Sequence, residues 1–320
     1  MTEIRHRTID ANGLRMAVAE AGEGPLVVLL HGFPESWYSW RHQLVAFAEA
    51  GFHAVAPNQR GYPGTDQPAD IADYTILHLV GDVVGLIGAL GAPDALVVGH
   101  DWGSPVAWNT ALLRPDLVRG VASLSVPATP RSPVPPLGVM TKRFGERFYQ
   151  NYFQAPGVAE AELEADLTAT FGRLLVGVSG DSPQIRELIV PDGGFAAIWP
   201  EPETLPAWLT RDDIATYARD FATTGLRGPL NWYRNIDRNW ALTAPWSGVR
   251  IAPPALFLAG DRDPVLHWFG AEQVAAIQQL ALADLRESRL LAGAGHWLQQ
   301  ERPAEVNAAL LAFASNVTAL

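Results

Sequence analysis

Three polar residues lie where buried strands are expected to end. Asp101 follows the apolar run "ALVVGH", Asp263 lies three residues after "PALFLAG", and His296 comes shortly after "ESRLLAG". Because the carboxyl ends of parallel strands share one edge of a sheet, we expect these side chains to meet at that edge. A carboxylate nucleophile, a histidine base and a second carboxylate that orients the base would form a catalytic triad.

The stretch "VVGHDWGS" predicts a sharp turn between a strand and a helix, with Asp101 at its apex. Such a turn leaves no room for side chains two residues to either side, where this chain has Gly99 and Gly103. An aspartate at this place could also be only a helix cap. The chain order of nucleophile, acid and histidine favours catalysis. For the acid we prefer Asp263 and expect Asp261 to shape its turn.

The segment "HGFPES", residues 31–36, follows the predicted strand "VVLL". In α/β enzymes with a nucleophile on a strand-to-helix turn, two backbone N–H groups form an oxyanion hole. One comes from a loop at this place and the other from the residue after the nucleophile. We therefore predict that the amides of Phe33 and Trp102 form that hole. The sequence leaves open whether Phe33-Pro34 is a cis peptide bond. We interpret His31 and His100 as buried structural residues.

An aspartate nucleophile suits displacement at a saturated carbon, because the carboxylate is already ionised at neutral pH. The product would be an alkyl ester on Asp101. Water activated by His296, which Asp263 orients, would then cleave that ester. Attack on the ester carbonyl generates an oxyanion, so the predicted amide donors are still needed.

Two substrate classes fit this chemistry and differ in the group that leaves. An epoxide leaves as an attached alkoxide and needs an acidic O–H, whereas a halide needs N–H donors. Tyrosine suits the first role. Tyr149, Tyr152 and Tyr233 are candidates in the central part of the chain, although buried aromatic residues usually serve packing.

Composition restricts the function classes. Of the 320 residues, 48% are hydrophobic and 18% charged, as in a globular protein with a large core. The net charge of -11 argues against binding of nucleic acid or of an anionic membrane. The absence of cysteine excludes disulfides and thiolate metal sites. We find no apolar segment of the length of a membrane span or signal peptide, and we predict a cytoplasmic protein.

Strand-like and helix-like segments alternate up to Pro127, and the alternation returns at Pro254. Between them lie the proline-rich "PATPRSPVPPLG" and helical patterns such as "AELEADLTATFGRLL" and "RDDIATYARDFATTG". We predict an α/β fold with a mostly parallel central sheet, helices on both faces and an inserted helical cap. The expected parts are residues 1–128 and 248–320 for the core and 129–247 for the cap.

The motifs "HGFPESWYSW", "GHDWGS", "YQNYFQAPGVAEAELE", "RGPLNWYRN", "DRDPV" and "GHW" cover nearly the whole chain. They resemble soluble epoxide hydrolases of the α/β-hydrolase superfamily. The resemblance implies Asp101 as nucleophile, Asp263 as triad acid and His296 as base. It implies that Tyr149 and Tyr233 bind the epoxide oxygen and that Tyr152 serves packing.

The resemblance further implies a small apolar epoxide and water as substrates, with no metal and no organic cofactor. We expect an aromatic-rich pocket; its candidate residues, which would also suit a core, are Phe33, Trp37, Trp102, Phe144, Trp232 and Trp268. One departure from the family pattern is "NQRGYPGTD", which has Asn58 in place of an acid and an added Pro63. The sequence leaves the particular epoxide and the choice between monomer and homodimer open.

Two other functions stay open at this point. A haloalkane dehalogenase shares the turn and the triad, and Trp102 would be one halide donor. Against it stand Phe33, where many such enzymes have asparagine, and the paired cap tyrosines. A ligand-binding protein without catalysis would share the fold alone, but it would not need the triad and both tyrosines.

Overall fold

A computed structural model describes residues 2–318 of the chain. Within those residues, eight strands form one sheet in the order β1-β2-β4-β3-β5-β6-β7-β8. β1 pairs antiparallel with β2, and β2 pairs antiparallel with β4; the other neighbours are parallel. The strands are β1 Arg5–Ala11, β2 Leu14–Ala21, β3 Leu26–Leu30, β4 His53–Pro57, β5 Ala95–His100, β6 Val118–Leu124, β7 Ala255–Gly260 and β8 Leu285–Leu291.

Helices connect the strands of the core and form the long insertion between β6 and β7. In the core they are α1 Arg41–Glu49, α2 Ile76–Ala89 and α3 Gly103–Leu113. The insertion contains α4 Pro136–Phe144, α5 Tyr149–Tyr152, α6 Val158–Leu163, α7 Leu167–Gly177, α8 Arg211–Ala222, α9 Arg227–Tyr233 and α10 Ile236–Leu242. The core then continues with α11 Pro264–Phe269, α12 Ala271–Ala281, α13 Leu298–Glu301 and α14 Pro303–Thr318.

The central strands are apolar on both faces because helices cover both. In β3, Val27 and Leu29 belong to the apolar cluster formed with α1 and α14. Val28 and Leu30 belong to the cluster formed with α2 and α3. This arrangement explains why β3 and β5 read as unbroken apolar runs rather than as alternating patterns. The predicted α/β fold is confirmed.

The inserted helices lie over the edge of the sheet and form the cap. Contact with the core is close where α9 meets the loop after β4: the Trp232 indole donates to the carbonyl of Arg60 at 3.1 Å. A methyl group on Gly228 would overlap the carbonyl oxygen of Gly61, so this approach requires glycine. The insertion falls between Leu124 and Ala255, whereas the exact limits 129 and 247 stay a prediction.

Some elements differ from the sequence expectation. The sequence analysis does not identify β1, because most of its residues face solvent, although Asn12-Gly13 is a typical hairpin signal. The pattern "AELEADLTATFGRLL" forms two helices, since the Asp166 carboxylate accepts from the amide of Ala169 at 2.9 Å and begins α7. Asn58 forms hydrogen bonds to the Trp37 amide and the Pro63 carbonyl, which fixes the loop that departs from the family pattern.

Candidate active site

Asp101 lies at the apex of a tight turn between β5 and α3. Its φ of 49° lies in the left-handed region that non-glycine residues rarely adopt. A methyl group on Gly99 would overlap the carbonyl of Gly103, and one on Gly103 would overlap the carbonyl of Leu30. The two glycines therefore allow the turn, and the turn presents the Asp101 side chain at the edge of the sheet.

His296 lies between the two carboxylates. Its Nε2 is 3.6 Å from Oδ2 of Asp101, and its Nδ1 is 3.1 Å from Oδ1 of Asp263. Asp263 is completely buried and also accepts from the amide of Val265 at 2.9 Å, which begins α11. Asp261 instead accepts from the amide of Gly293 at 2.8 Å. The geometry thus favours Asp263 over Asp261 as the partner of the histidine.

The charges of the three groups support one another. Burial alone would lower the pKa of His296, but the carboxylates of Asp263 and Asp101 raise that pKa well above its ordinary value. Burial alone would raise the pKa of Asp263, but the adjacent His296 holds it below its usual range. The neighbouring carboxylates therefore favour the protonated form of His296.

The loop after β3 supplies a hydrogen-bond donor to the nucleophile. The amide of Phe33 donates to Oδ1 of Asp101 at 2.7 Å, and Phe33-Pro34 is a cis peptide bond. A methyl group on Gly32 would overlap the Asp101 side chain, so glycine allows the loop to approach. Trp102 is the N-cap residue of α3, without a side-chain cap; the backbone amides at a helix N-terminus suit an oxyanion.

Two buried histidines form hydrogen bonds with the loops around the site. His31 accepts from the amide of Gln59 at 3.1 Å, and its Nδ1 lies 3.0 Å from the carbonyl of Gly32. His100 lies 2.6 Å from Glu35 and 2.7 Å from the carbonyl of His296. Both histidines are completely buried, in agreement with structural roles. Burial lowers the pKa of His31 to about 4, so this imidazole is neutral.

The loop that carries His296 is also tied to the cap. The buried carboxylate of Glu301 accepts from the amides of Gly295, Trp297 and Gly180, at 2.8, 3.0 and 2.9 Å. Gly180 follows α7 of the cap, and the amide of His296 donates to the carbonyl of Val178 at 2.9 Å. The position of His296 is therefore set by core and cap together.

Tyr149 and Tyr233 come from the two ends of the cap sequence and meet at one wall. Tyr149 begins α5 and Tyr233 ends α9, and their ring centroids are 5.7 Å apart. Both are buried. Burial, reinforced by the charge of Asp101, raises the pKa of both hydroxyls well above its usual value. Both hydroxyls are therefore protonated and can donate. Tyr152 is only half-buried and contacts Phe153.

One cavity contains these groups. Asp101, His296, Tyr149 and Tyr233 line it together with Phe33. Sequence reasoning missed most of its apolar wall, because single apolar residues of the cap and of the core loops read as ordinary core. The missed residues are Pro34, Leu174, Val178, Leu188, Phe195, Trp199, Pro264, Val265 and Trp297.

The predicted aromatic wall needs correction at five of its six positions. Within the described chain, Phe33 lines this cavity. The other candidates are not among its lining residues: Trp37, Trp102, Phe144, Trp232 and Trp268. The Trp37 ring packs against His6, at 4.6 Å between centroids. The Trp232 indole donates its hydrogen bond to the carbonyl of Arg60. Trp102 is half-buried with its ring against Tyr233, at 5.1 Å. Phe144 and Trp268 pack behind the wall against Phe148.

Comparison with known proteins agrees with the fold. A profile of the alpha/beta hydrolase fold matches residues 25–303. The chain belongs to this α/β-hydrolase family and, within it, to the epoxide hydrolases. It is 49% identical to epoxide hydrolase A of Mycobacterium tuberculosis, with 96% of each chain covered, and 44% identical to epoxide hydrolase 3 of Siraitia grosvenorii, with 96% of this chain and 97% of the relative covered.

Solved structures give the same result. The crystal structure of epoxide hydrolase A from Mycobacterium thermoresistibile superposes with a TM-score of 0.90 at 48% identity, covering 97% of this chain and 98% of that one. An epoxide hydrolase from an endophytic Streptomyces superposes with a TM-score of 0.93 at 43% identity, covering 98% of this chain and 96% of that one. Among the described residues, no helix is both long and apolar enough to span a bilayer.

Proposed function

We propose that this enzyme converts an epoxide and water to a vicinal diol through a covalent ester on Asp101. The observation that carries the proposal is the content of one cavity: a carboxylate, a histidine and two protonated tyrosines. Each of these four side chains has a role in epoxide hydrolysis. Hydrolysis of a substrate without a departing alkoxide would leave the two tyrosines without a role.

The first step is ring opening by Asp101. Its Oδ1 is held by the Phe33 amide, which leaves Oδ2 as the attacking atom. A bond forms between Oδ2 and a ring carbon while the carbon–oxygen bond of the epoxide breaks. Tyr149 and Tyr233 donate hydrogen bonds to the departing oxygen, and one of them supplies the proton that converts the alkoxide to a hydroxyl.

The second step is hydrolysis of the ester. Esterification removes the negative charge that faces Nε2 of His296, so the pKa of the imidazolium falls. Its Nε2 proton passes to the tyrosinate that ring opening leaves behind, which restores the tyrosine and leaves a neutral imidazole that can accept a proton. His296 then takes a proton from water, and the resulting hydroxide attacks Cγ of Asp101. The oxyanion forms at Oδ1, where the Phe33 amide, with that of Trp102, stabilises it. Collapse breaks the bond between Cγ and Oδ2, and the departing alkoxide takes the proton of the new carboxyl group. This releases the diol and restores the Asp101 carboxylate beside the protonated His296.

The cavity also restricts the substrate. Apart from the triad and the tyrosines, its wall is formed by apolar side chains such as Leu174, Leu188 and Trp199. Such a wall offers no partner for a charged substituent, because burial of an unpaired charge is costly. The substrate class is therefore a small, neutral, apolar epoxide, and we expect the reaction to take place in the cytoplasm.

A paired product assay tests the proposal. The purified protein is given styrene oxide in one reaction and a short terminal haloalkane in another, and diol and halide are measured. We expect diol without halide, and no diol from Asp101→Asn. Halide without diol would assign the site to dehalogenation instead. Binding of the epoxide without any turnover would favour a ligand-binding protein.

A further inference from the structure

Ser125 has an unusual backbone conformation directly after β6. It is completely buried, and its φ of 77° lies in the left-handed region, where a side chain is strained. Its amide donates to the carbonyl of Leu258 in β7 at 2.9 Å. The Ser123 hydroxyl, at 2.7 Å from the carbonyl of Val126, holds the chain on the other side. The surrounding structure therefore enforces a conformation that glycine would adopt at lower cost.

The strained turn places the Ser125 hydroxyl at the triad. Its Oγ lies 3.1 Å from Nδ1 of His296, as close as Oδ1 of Asp263 at 3.1 Å. Nδ1 carries a proton when it faces Asp263, so the Ser125 oxygen accepts from it. The serine proton remains available to Asp263. Ser125 thus contacts the pair on the side away from the nucleophile.

We propose that Ser125 is a positioning residue for His296, a role that rests on the proposed function of His296 as the base. Its oxygen shares the Nδ1 proton with Asp263 and so favours the tautomer and ring orientation in which Nε2 faces Asp101. The same contact stabilises the imidazolium, because a lone pair of Oγ points at the charged N–H. The strain in the backbone is explained by this task, since another conformation would turn the hydroxyl away.

Other groups that act on His296 must be considered for any change in its titration. Asp101 faces Nε2 and Asp263 faces Nδ1. The ring of His100 lies 4.9 Å away between centroids, paired with Glu35. Glu301 binds the backbone on both sides of His296. All of these stay in place when the Ser125 hydroxyl is removed.

The test compares Ser125→Ala, which removes the hydroxyl and keeps the backbone strain, with Ser125→Gly, which removes both. The readout is the pKa of His296 in the resting enzyme, from NMR titration of labelled histidine, with the signal assigned through His296→Gln. Loss of the hydroxyl withdraws one acceptor from the imidazolium. We therefore expect the pKa of His296 to fall by about half a unit or more in both variants. We also expect Ser125→Gly to unfold at a higher temperature than Ser125→Ala.

Thr110→Val is the matched control, because it removes a buried hydroxyl, which donates to the carbonyl of Val106 within α3, and leaves the Ser125 turn intact. Its expected pKa for His296 is that of the wild type. An unchanged pKa in Ser125→Ala, or an equal change in Thr110→Val, would overturn the proposal. The titration needs no turnover, so its result does not depend on whether the enzyme forms diol. An absence of diol from the wild-type enzyme would instead refute the proposed function and, with it, the role of His296 as base.

A kinetic measurement on the same variants separates positioning from general disruption. In single-turnover reactions, we expect Ser125→Ala to form the ester at the wild-type rate and to hydrolyse it about tenfold more slowly, since only the second step uses His296 as a base. Equal slowing of both steps would show that the substitution disturbs the whole site and would contradict the assigned role.

Discussion

The two oxygens of Asp101 have different partners. Oδ1 accepts from the Phe33 amide at 2.7 Å, and Oδ2 lies 3.6 Å from His296. In the proposed mechanism this difference gives the two oxygens different tasks: Oδ1 becomes the oxyanion, and Oδ2 attacks the epoxide. The sequence could place Asp101, Asp263 and His296 at one edge of the sheet, because each follows the carboxyl end of a strand. The strands before Asp101 and Asp263 are buried, whereas β8 before His296 is mostly exposed. The sequence could not reveal Ser125, whose contact with His296 depends on a backbone angle.

At the scale of single residues, loss of the tyrosine hydroxyls should slow ester formation. Tyr149→Phe and Tyr233→Phe remove one hydroxyl each while preserving the buried rings. We expect each to slow ester formation about tenfold, and the double variant to slow it about a thousandfold, because the alkoxide then has no donor. Rapid-quench measurement of ester formation checks this. Tyr152→Phe is the matched control and should react at the wild-type rate; an active double variant would refute the assignment.

At the scale of elements, glycines determine whether the loops can approach one another. Gly99, Gly103 and Gly32 each lie where a methyl group would overlap a backbone or side-chain atom of the site. The sequence predicted β5 and β7 well because continuous apolar runs indicate buried strands. It predicted β1 poorly, since an edge strand that faces solvent lacks this pattern. The apolar cavity wall was missed because its residues resemble those of any helical core.

Gly103, in the turn that carries Asp101, can be tested against a glycine outside the site. Gly103→Ala would place a methyl group against the backbone carbonyl of Leu30, whereas a methyl group on Gly88 in α2 would have open space around it. We expect Gly103→Ala to lower the free energy of unfolding by about 3 kcal/mol. Gly88→Ala should raise it by about 0.5 kcal/mol, because alanine favours a helix. Urea unfolding measures both, and equal effects would contradict the packing argument.

At the scale of the whole molecule, polar contacts tie the cap to the core. The Tyr38 hydroxyl donates to Asp213 of α8 at 2.8 Å, and Arg41 pairs with the same carboxylate at 3.2 Å. On the other side, Glu301 binds the loop of His296 and the amide of Gly180 together. The catalytic arrangement therefore depends on correct docking of the cap, since Tyr149 and Tyr233 reach the cavity only from there.

Acid should lower the free energy of unfolding of the protein, because His31 is buried in its neutral form. Burial lowers the pKa of His31 from 6.5 to about 4 in the folded protein. As the pH falls below 6.5, the unfolded chain binds a proton that the folded protein cannot bind until about pH 4. Stability is therefore lost across this interval, by about 3 kcal/mol in total.

Urea unfolding at about pH 7.5 and about pH 4.5 measures this loss. His31→Asn lacks the titrating group, so its free energy of unfolding should fall less between the two pH values than that of the wild type. His267→Asn serves as the surface comparison, because His267 is exposed. The same pH dependence in wild type and His31→Asn would show that His31 does not govern acid stability.

The central claim is the covalent ester on Asp101, and intact-mass spectrometry of His296→Gln tests it most directly. Without the base, ester formation should continue while its hydrolysis stops. After incubation with styrene oxide, the account predicts a mass increase equal to one epoxide molecule, located on the peptide that contains Asp101 and absent when Asp101 is also replaced by Asn. An unmodified protein after complete exposure, or an adduct on another residue, would contradict the account.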